Sequence, residues 1–127
     1  MHICLDVDDT ITYAPEFFVG LCRRFDDARV TIVTFRSDEV ETRTYLDEIG
    51  LRYDRLIVST DQEHGAREDE APHEWKAALV NRMQPDIFFE DMPEVVSLIH
   101  PSILVFMPCD DFVREWLSSR LECEPHD

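Results

Sequence analysis

The sequence contains little lysine and glycine, and it has no long hydrophobic run. Lys76 is the single lysine among 12 basic residues, and only three glycines occur in 127 residues. No stretch approaches the roughly 20 apolar residues that a membrane-spanning helix needs. The first apolar run, residues 3–7, is too short and too acidic for a signal peptide. We therefore expect a cytoplasmic protein with no membrane partner.

Paired cysteine motifs are also missing. The four cysteines are scattered along the chain at Cys4, Cys22, Cys109 and Cys123. They form no Cys-x-x-Cys pair, and no histidine stands at zinc-finger spacing from them. This pattern argues against a disulfide framework and against a structural zinc site, so we expect reduced thiols.

Positive charge is scarce relative to negative charge. The chain has 28 acidic and 12 basic residues, with a net charge of −16. Such a surface repels polyanions, so nucleic acid is disfavoured as a partner. The hydrophobic content of 44% and the length of 127 residues fit one soluble globular domain spanning residues 1–127.

Short apolar runs alternate with longer amphipathic segments, which predicts an α/β fold with a doubly wound parallel sheet. The five predicted strands are residues 3–7, 30–35, 56–59, 87–89 and 103–106. Proline suits the first turn of a helix, and three helices are predicted to begin at Pro15, Pro72 and Pro93. Ser37 is predicted to cap a further helix that stops at Gly50. Asp111 is predicted to cap the last helix, with Trp116 on its core face.

Two carboxylates follow the first predicted strand. Residues two apart in a strand face the same side, so Asp6 and Asp8 can project together into the crevice at the strand tip. One carboxylate can attack phosphorus and form an aspartyl-phosphate. The other can protonate the leaving oxygen and later accept a proton from water. A plain acidic loop is the alternative interpretation of these two residues taken alone.

Residues suited to binding phosphate follow the second strand and occupy the third helix. Thr34 ends the strand, and Arg36 precedes Ser37 at a helix start, where a hydroxyl and free backbone donors suit a phosphate oxygen. Lys76 offers one compact ammonium on the helix that begins at Pro72. These residues predict phosphate chemistry.

A metal site is predicted at the same edge of the sheet, because Asp91 follows the strand at 87–89. Hard oxygen ligands from Asp6, Asp91 and a backbone carbonyl near Asp8 would bind Mg²⁺. Glu90 and Glu94 are possible additional ligands.

Together these motifs resemble those of the haloacid dehalogenase (HAD) superfamily of phosphohydrolases. The resemblance covers nearly the whole chain, and its motifs are Asp6-Val7-Asp8-Asp9-Thr10, Thr34 after residues 30–33, Lys76, and Glu90-Asp91. It implies a three-layer, Rossmann-like, five-stranded parallel sheet. It also implies that Asp6 is the nucleophile and Asp8 the general acid and base. Further implied roles are phosphoryl binding for Thr34 and Lys76, and Mg²⁺ binding for Asp91 together with Asp6.

The chain departs from the superfamily pattern at two positions. Asp9 stands where glycine is common, and Val95 stands where one branch has a further aspartate, so that Glu94 or Glu90 would have to contribute instead. The presence of Asp8 favours hydrolysis of phosphate esters, because dehalogenase members lack that acid. The connections after the first and third strands are too short for a cap domain, so we expect an open site. Such a site suits either bulky substrates, such as phosphorylated macromolecules, or small substrates that an oligomer partner helps to enclose.

The leading expectation is a Mg²⁺-dependent phosphomonoester hydrolase. Its partner would be a phosphorylated small molecule or a phosphorylated macromolecule. One alternative is a polynucleotide 3′-phosphatase or 5′-nucleotidase of the same superfamily, which the stretch 90–96 and the open site suggest. A second alternative is a non-enzymatic receiver-like phosphoacceptor domain, since Asp61 also ends a predicted strand.

Overall fold

Five parallel strands form one sheet in the order β3-β2-β1-β4-β5. The structure, a computed structural model, describes residues 1–123. The strands are β1 (His2–Leu5), β2 (Arg29–Val33), β3 (Arg55–Ile57), β4 (Ile87–Phe89) and β5 (Leu104–Phe106). Their branched and aromatic side chains suit a sheet that is covered on both faces. The predicted five-stranded parallel α/β fold is confirmed.

Four helices lie in the connections between the strands, and a fifth follows β5. They are α1 (Pro15–Arg24), α2 (Glu39–Ile49), α3 (Pro72–Met83), α4 (Pro93–Val96) and α5 (Asp111–Cys123). Three of them begin at the predicted prolines. Proline lacks a backbone N–H, and this costs no hydrogen bond in a first turn, where an N–H has no intrahelical acceptor. None of the helices within residues 1–123 is long and apolar enough to cross a membrane.

Two helix caps differ from the prediction by one residue. Asp38, not Ser37, caps α2 and accepts a hydrogen bond from the Glu41 amide at 2.9 Å. Asp110, not Asp111, accepts from the Val113 amide at 2.8 Å at the start of α5. In both cases the carboxylate lies three residues before the amide that it satisfies, which is the spacing that an N-cap requires.

The sheet separates two apolar layers, and alternate strand residues face opposite layers. In β1, Ile3 and Leu5 pack with residues of α1 and α2, including Phe18 and Leu46. Cys4 between them packs with residues of α3 and α4, such as Trp75, Leu79, Val80 and Val95. The domain therefore has three layers, with helices on both faces of the sheet.

The last helix buries less than its sequence pattern predicts. Val113 is buried, but Trp116 and Leu117 are each about two-fifths exposed. The placement of Trp116 on a core face is therefore wrong, and the Arg120 guanidinium lies over its ring at 5.5 Å. The thiols of Cys4, Cys22 and Cys109 are free, and the side chain of Cys123 lies outside the described part.

Candidate active site

The carboxyl ends of three neighbouring strands define the site. Asp6 follows β1, Thr34 follows β2, and Glu90 and Asp91 follow β4. The amide of Asp6 donates to the carbonyl of Phe89 at 3.1 Å, which ties the end of β1 to the end of β4. The strand order turns around β1, and such switch points leave a crevice beyond the strand ends.

Lys76 points into this crevice and not into solvent. Its ammonium lies 2.6 Å from Oδ1 of Asp6 and 3.2 Å from Oε2 of Glu90. Lys76 is 5% exposed and Asp6 is 3% exposed. Burial alone would lower the pKa of Lys76, but the carboxylates of Asp6 and Glu90 outweigh it and raise that pKa. The ammonium therefore stays charged.

The second oxygen of Asp6 is held by Thr10. The Thr10 hydroxyl is fully buried and donates to Oδ2 of Asp6 at 2.9 Å. A wide turn over Val7–Ile11 brings Thr10 back beneath Asp6, and Asp9 adopts a φ of 59° within it. No separate role was predicted for Thr10. The available signal was a hydroxyl residue four positions after the proposed nucleophile.

Three buried carboxylates crowd together at the floor of the crevice. Oxygens of Asp6, Glu90 and Asp91 lie within 4.8 Å of one another. Burial, followed by the repulsion of neighbouring carboxylates, raises the pKa of both Glu90 and Asp91. Within residues 1–123, Oε2 of Glu90 has no hydrogen-bond partner, although the ammonium of Lys76 is an ion-pair neighbour. One ammonium does not balance three carboxylates, and the group is able to bind a metal ion.

Asp8 and Arg36 form a forked ion pair at the mouth of the crevice. The guanidinium Nη2 lies 2.7 Å from Oδ1 of Asp8, and Nε lies 3.0 Å from Oδ2. This hydrogen bonding raises the pKa of Arg36. The side chain of Asp8 is 57% exposed, and its carboxylate is not part of the buried acidic cluster.

The remaining predicted residues divide into those at the site and one apart from it. Thr34 is buried, lines the crevice and accepts a hydrogen bond from the Arg36 amide at 3.2 Å. Glu94 is exposed on α4 and lies outside the acidic cluster. The structure thus brings Asp6, Thr34, Lys76, Glu90 and Asp91 together, but it does not bring Glu94 to them.

The crevice is a cavity of about 310 Å³. This is at the lower end of the roughly 300–1,000 Å³ that small-molecule pockets occupy. Its lining consists of Asp6, Asp8, Asp9, Thr34, Phe35, Lys76, Asp91, Met92 and Phe112. The three apolar members were not predicted as site residues. Phe35 belongs to the apolar run 30–35 that predicts a strand, although β2 ends at Val33, and isolated apolar residues at a helix start resemble core residues.

The polar loop, residues 60–71 between β3 and α3, is anchored by α3. The indole Nε1 of Trp75 donates to the His64 carbonyl at 2.7 Å, and Trp75 is buried. His64 lines a separate cavity of about 460 Å³ and is absent from the lining of the crevice between the strand ends. Within the described residues, neither this loop nor the connection after β1 contains an inserted cap domain; the connection after β1 contains the turn at Val7–Ile11 and α1.

Comparison with known proteins identifies similar folds only among solved structures. No family model and no curated protein matches the sequence. A chain of the Pnkp1/Rnl/Hen1 RNA repair complex superposes with a TM-score of 0.64, at 13% identity over 84% of this chain. A chain of a second Pnkp1/Rnl/Hen1 structure gives a TM-score of 0.65, at 12% identity over 84% of this chain. The protein spans 42% and 45% of those two chains, and likeness at this identity establishes the fold alone.

Proposed function

We propose that the protein is a Mg²⁺-dependent phosphomonoester hydrolase of the HAD type, with Asp6 as the nucleophile. The observation that carries the proposal is the environment of Asp6. Both of its oxygens are engaged, one by Lys76 and one by Thr10, beside two further buried carboxylates. A carboxylate oriented in this way, at a strand end and beside a fixed ammonium, suits attack on phosphorus.

The donor set of the buried cluster fits a hard divalent cation. Asp6 and Asp91 would hold Mg²⁺, with Glu90 beside them, since carboxylate oxygens are the ligands that this ion prefers. Among the described residues, the three carboxylates share the ammonium of Lys76, and burial together with the neighbouring carboxylates raises the pKa of Glu90 and of Asp91. A further positive charge would therefore stabilise the ionised cluster. When bound, the ion supplies charge that offsets repulsion between these carboxylates and a substrate phosphate.

The chemistry proceeds in two displacements at phosphorus. In the first, a carboxylate oxygen of Asp6 bonds to phosphorus while the bond to the leaving oxygen breaks, and protonated Asp8 gives that oxygen its proton. In the second, water attacks the aspartyl-phosphate and transfers a proton to Asp8. The bond between Asp6 and phosphorus breaks, which regenerates the carboxylate and releases inorganic phosphate.

The surrounding side chains hold the phosphoryl group during both displacements. The Lys76 ammonium and the Thr34 hydroxyl would bind its oxygens on the floor of the cavity. Because Lys76 is buried, its charge acts in a region from which water is largely excluded, where such interactions are strongest. Arg36 would bind a phosphoryl oxygen at the mouth when it exchanges one of its contacts with Asp8.

Asp6→Asn tests this proposal directly. We expect it to abolish phosphate release from an aryl phosphate in the presence of Mg²⁺ while the protein stays folded. Asp61→Asn is the matched control, because Asp61 caps the polar loop through the amides of Glu63 and His64 and does not line the cavity. Asp61→Asn should retain activity. Turnover by the Asp6→Asn protein, or full activity in a chelator, would refute the proposal.

A polynucleotide 3′-phosphatase is the second candidate. The similar folds belong to chains of an RNA repair complex, so the expectation from charge that nucleic acid is disfavoured is not supported by the comparisons. Because the chain carries a net charge of −16, its surface repels a long phosphate backbone, so this candidate would contact only the end of a strand. Release of phosphate from a 3′-phosphorylated RNA, with little dependence on strand length, would support this candidate.

A further inference from the structure

Three exposed apolar side chains surround the mouth of the catalytic cavity. Phe35, Met92 and Phe112 all line it, and they are 41%, 43% and 60% exposed. We refer to these three residues as the apolar rim. The floor of the same cavity is polar and buried, with Asp6 at 3% exposure and Lys76 at 5%. One cavity therefore offers a charged floor and an apolar entrance.

The Phe35 ring packs against a buried aromatic side chain. It lies edge-on to the indole of Trp75, with ring centroids 5.7 Å apart. Trp75 is itself buried and tied to the His64 carbonyl. A ring that already has such a neighbour loses less conformational freedom when a ligand packs on its exposed face, which favours binding.

The other two members of the apolar rim each follow an acidic residue that lies in or beside the buried carboxylate cluster. The Met92 amide donates to Oε1 of Glu90 at 3.3 Å. Phe112 lies in the first turn of α5, where the Asp110 carboxylate caps the helix. Oxygens of Asp110 and Asp91 approach within 4.8 Å, so the same edge of the sheet places both the floor and the rim.

We propose that the apolar rim binds the nucleobase of a nucleoside phosphate monoester whose phosphate rests on the Lys76 floor. This inference rests on the proposed phosphomonoesterase activity. Phenyl rings and a thioether present flat or polarisable surfaces, and bases stack on such side chains irrespective of their identity. The rim side chains offer no strong hydrogen-bonding group, so discrimination among the four bases should be weak.

The distribution of polar and apolar residues in the cavity suits a nucleoside phosphate. The charged residues Asp6 and Lys76 are buried, whereas the apolar rim is exposed. A phosphate and a base that are joined by a sugar present charge and an apolar surface at opposite ends in the same way. A free mononucleotide and a strand end share the required chemistry.

A matched pair of substrates tests the inference. Adenosine 3′-monophosphate and methyl riboside 3-phosphate share the leaving oxygen and differ by the base. With Mg²⁺, we expect kcat/KM to be roughly 5- to 150-fold higher for the nucleotide, mainly through KM, the range that stacking of one base provides. Phe112→Ala should bring this ratio towards one, and Phe112→Tyr should preserve it. Leu121→Ala is the control, since Leu121 is 63% exposed on the same helix and is not part of the cavity.

The outcomes separate this inference from the proposed function. If both substrates are hydrolysed equally well, or if a phosphotyrosine peptide is preferred to both, the base site is wrong and the phosphatase assignment stands. If neither these two compounds nor an aryl phosphate is hydrolysed, the phosphatase assignment fails, and calorimetric binding of the same two compounds decides the base site. If the nucleotide binds more tightly and Phe112→Ala removes the difference, the base site is supported. Equal binding of the two compounds overturns it.

A trinucleotide with the same 3′ end then identifies the form of the substrate, once the preference for a base is established. If it reacts at least as well as the mononucleotide, the substrate is a strand end. If it reacts less well, the substrate is a free nucleotide.

Discussion

The ammonium of Lys76 lies 2.6 Å from the carboxylate of Asp6, and both side chains are almost completely buried. Removing the cation would leave Asp6 and Glu90 without their counter-charge. We predict that Lys76→Met abolishes phosphatase activity and lowers the free energy of unfolding by about 3–5 kcal/mol, as breaking a buried ion pair does. Denaturant unfolding without metal measures the second effect. Arg82→Met, an exposed position on the same helix, should change stability by less than about 0.5 kcal/mol. Wild-type stability of Lys76→Met would contradict the buried pair.

The hydrogen bond from Thr10 to Asp6 predicts a second effect on catalysis. Thr10→Val keeps the shape of the side chain but removes the donor to Oδ2 of Asp6. We expect kcat to fall about 10- to 100-fold because the nucleophile is less well oriented, and stability to fall by about 1–2 kcal/mol. Thr42→Val is the control, because Thr42 is equally buried and its hydroxyl donates to the Asp38 carbonyl, away from the site. Unchanged kcat in Thr10→Val would show that Asp6 needs no such support.

The crowded carboxylates predict a pH dependence of stability in the metal-free protein. The folded-state pKa values of Glu90 and Asp91 are raised above their ordinary values of 4.5 and 3.8. The folded state therefore binds more protons than the unfolded state, and stability falls as pH rises from about 4 through neutral towards the folded-state values. Thermal melts at pH 5, 7 and 9 in a chelator should show a decreasing midpoint.

Magnesium should stabilise the protein more at high pH than at low pH, because metal binding needs ionised carboxylates. The double variant Glu90→Gln, Asp91→Asn should lose both the stabilisation and much of the slope with pH. The other acidic residues of this double variant still titrate, so any pH dependence of stability that comes from the overall charge of −16 would remain in it. An unchanged slope in that variant would assign the effect to the surface and not to the cluster.

Trp75 predicts a local effect on the polar loop. Trp75→Phe removes the hydrogen bond to the His64 carbonyl but retains an aromatic ring beneath the loop. We expect faster amide hydrogen exchange at Gly65 and Ala66, whose amides bond within the loop, and a loss of about 1 kcal/mol of stability. Trp116→Phe, at a partly exposed position, should leave exchange in the loop unchanged. Equal protection in Trp75→Phe and wild type would argue against the anchor.

The gross position of the site follows from the sequence because parallel strands place their carboxyl ends on one edge. Apolar runs locate the strands, so Asp6, Thr34 and Asp91 are predicted to meet without any knowledge of side-chain geometry. Lys76 stands out because it is the single lysine of the chain. Its burial is a different matter, since a lysine on a helix is ordinarily exposed, and only the packing of α3 against the sheet determines it.

The details that sequence could not supply depend on particular backbone and side-chain conformations. The contact of Thr10 requires the positive φ of Asp9, which a non-glycine residue seldom adopts. The pairing of Arg36 with Asp8 depends on rotamers of two exposed side chains. Ser37 and Asp38 are both good helix caps, so pattern alone does not decide between them. Trp116 fits an apolar face, but sequence does not show that α5 is covered mainly near Val113.

The two outermost strands affect how this protein behaves at high concentration. Strands β3 and β5 are three residues long, and in the described part of the chain no further strand pairs with the outer edge of either. Such short edges offer few hydrogen bonds to a strand of another molecule, and Pro101 and Pro108 flank β5 without an amide to donate. Together with mutual electrostatic repulsion between strongly acidic copies, this limits the growth of intermolecular sheets and hence of fibrous aggregates.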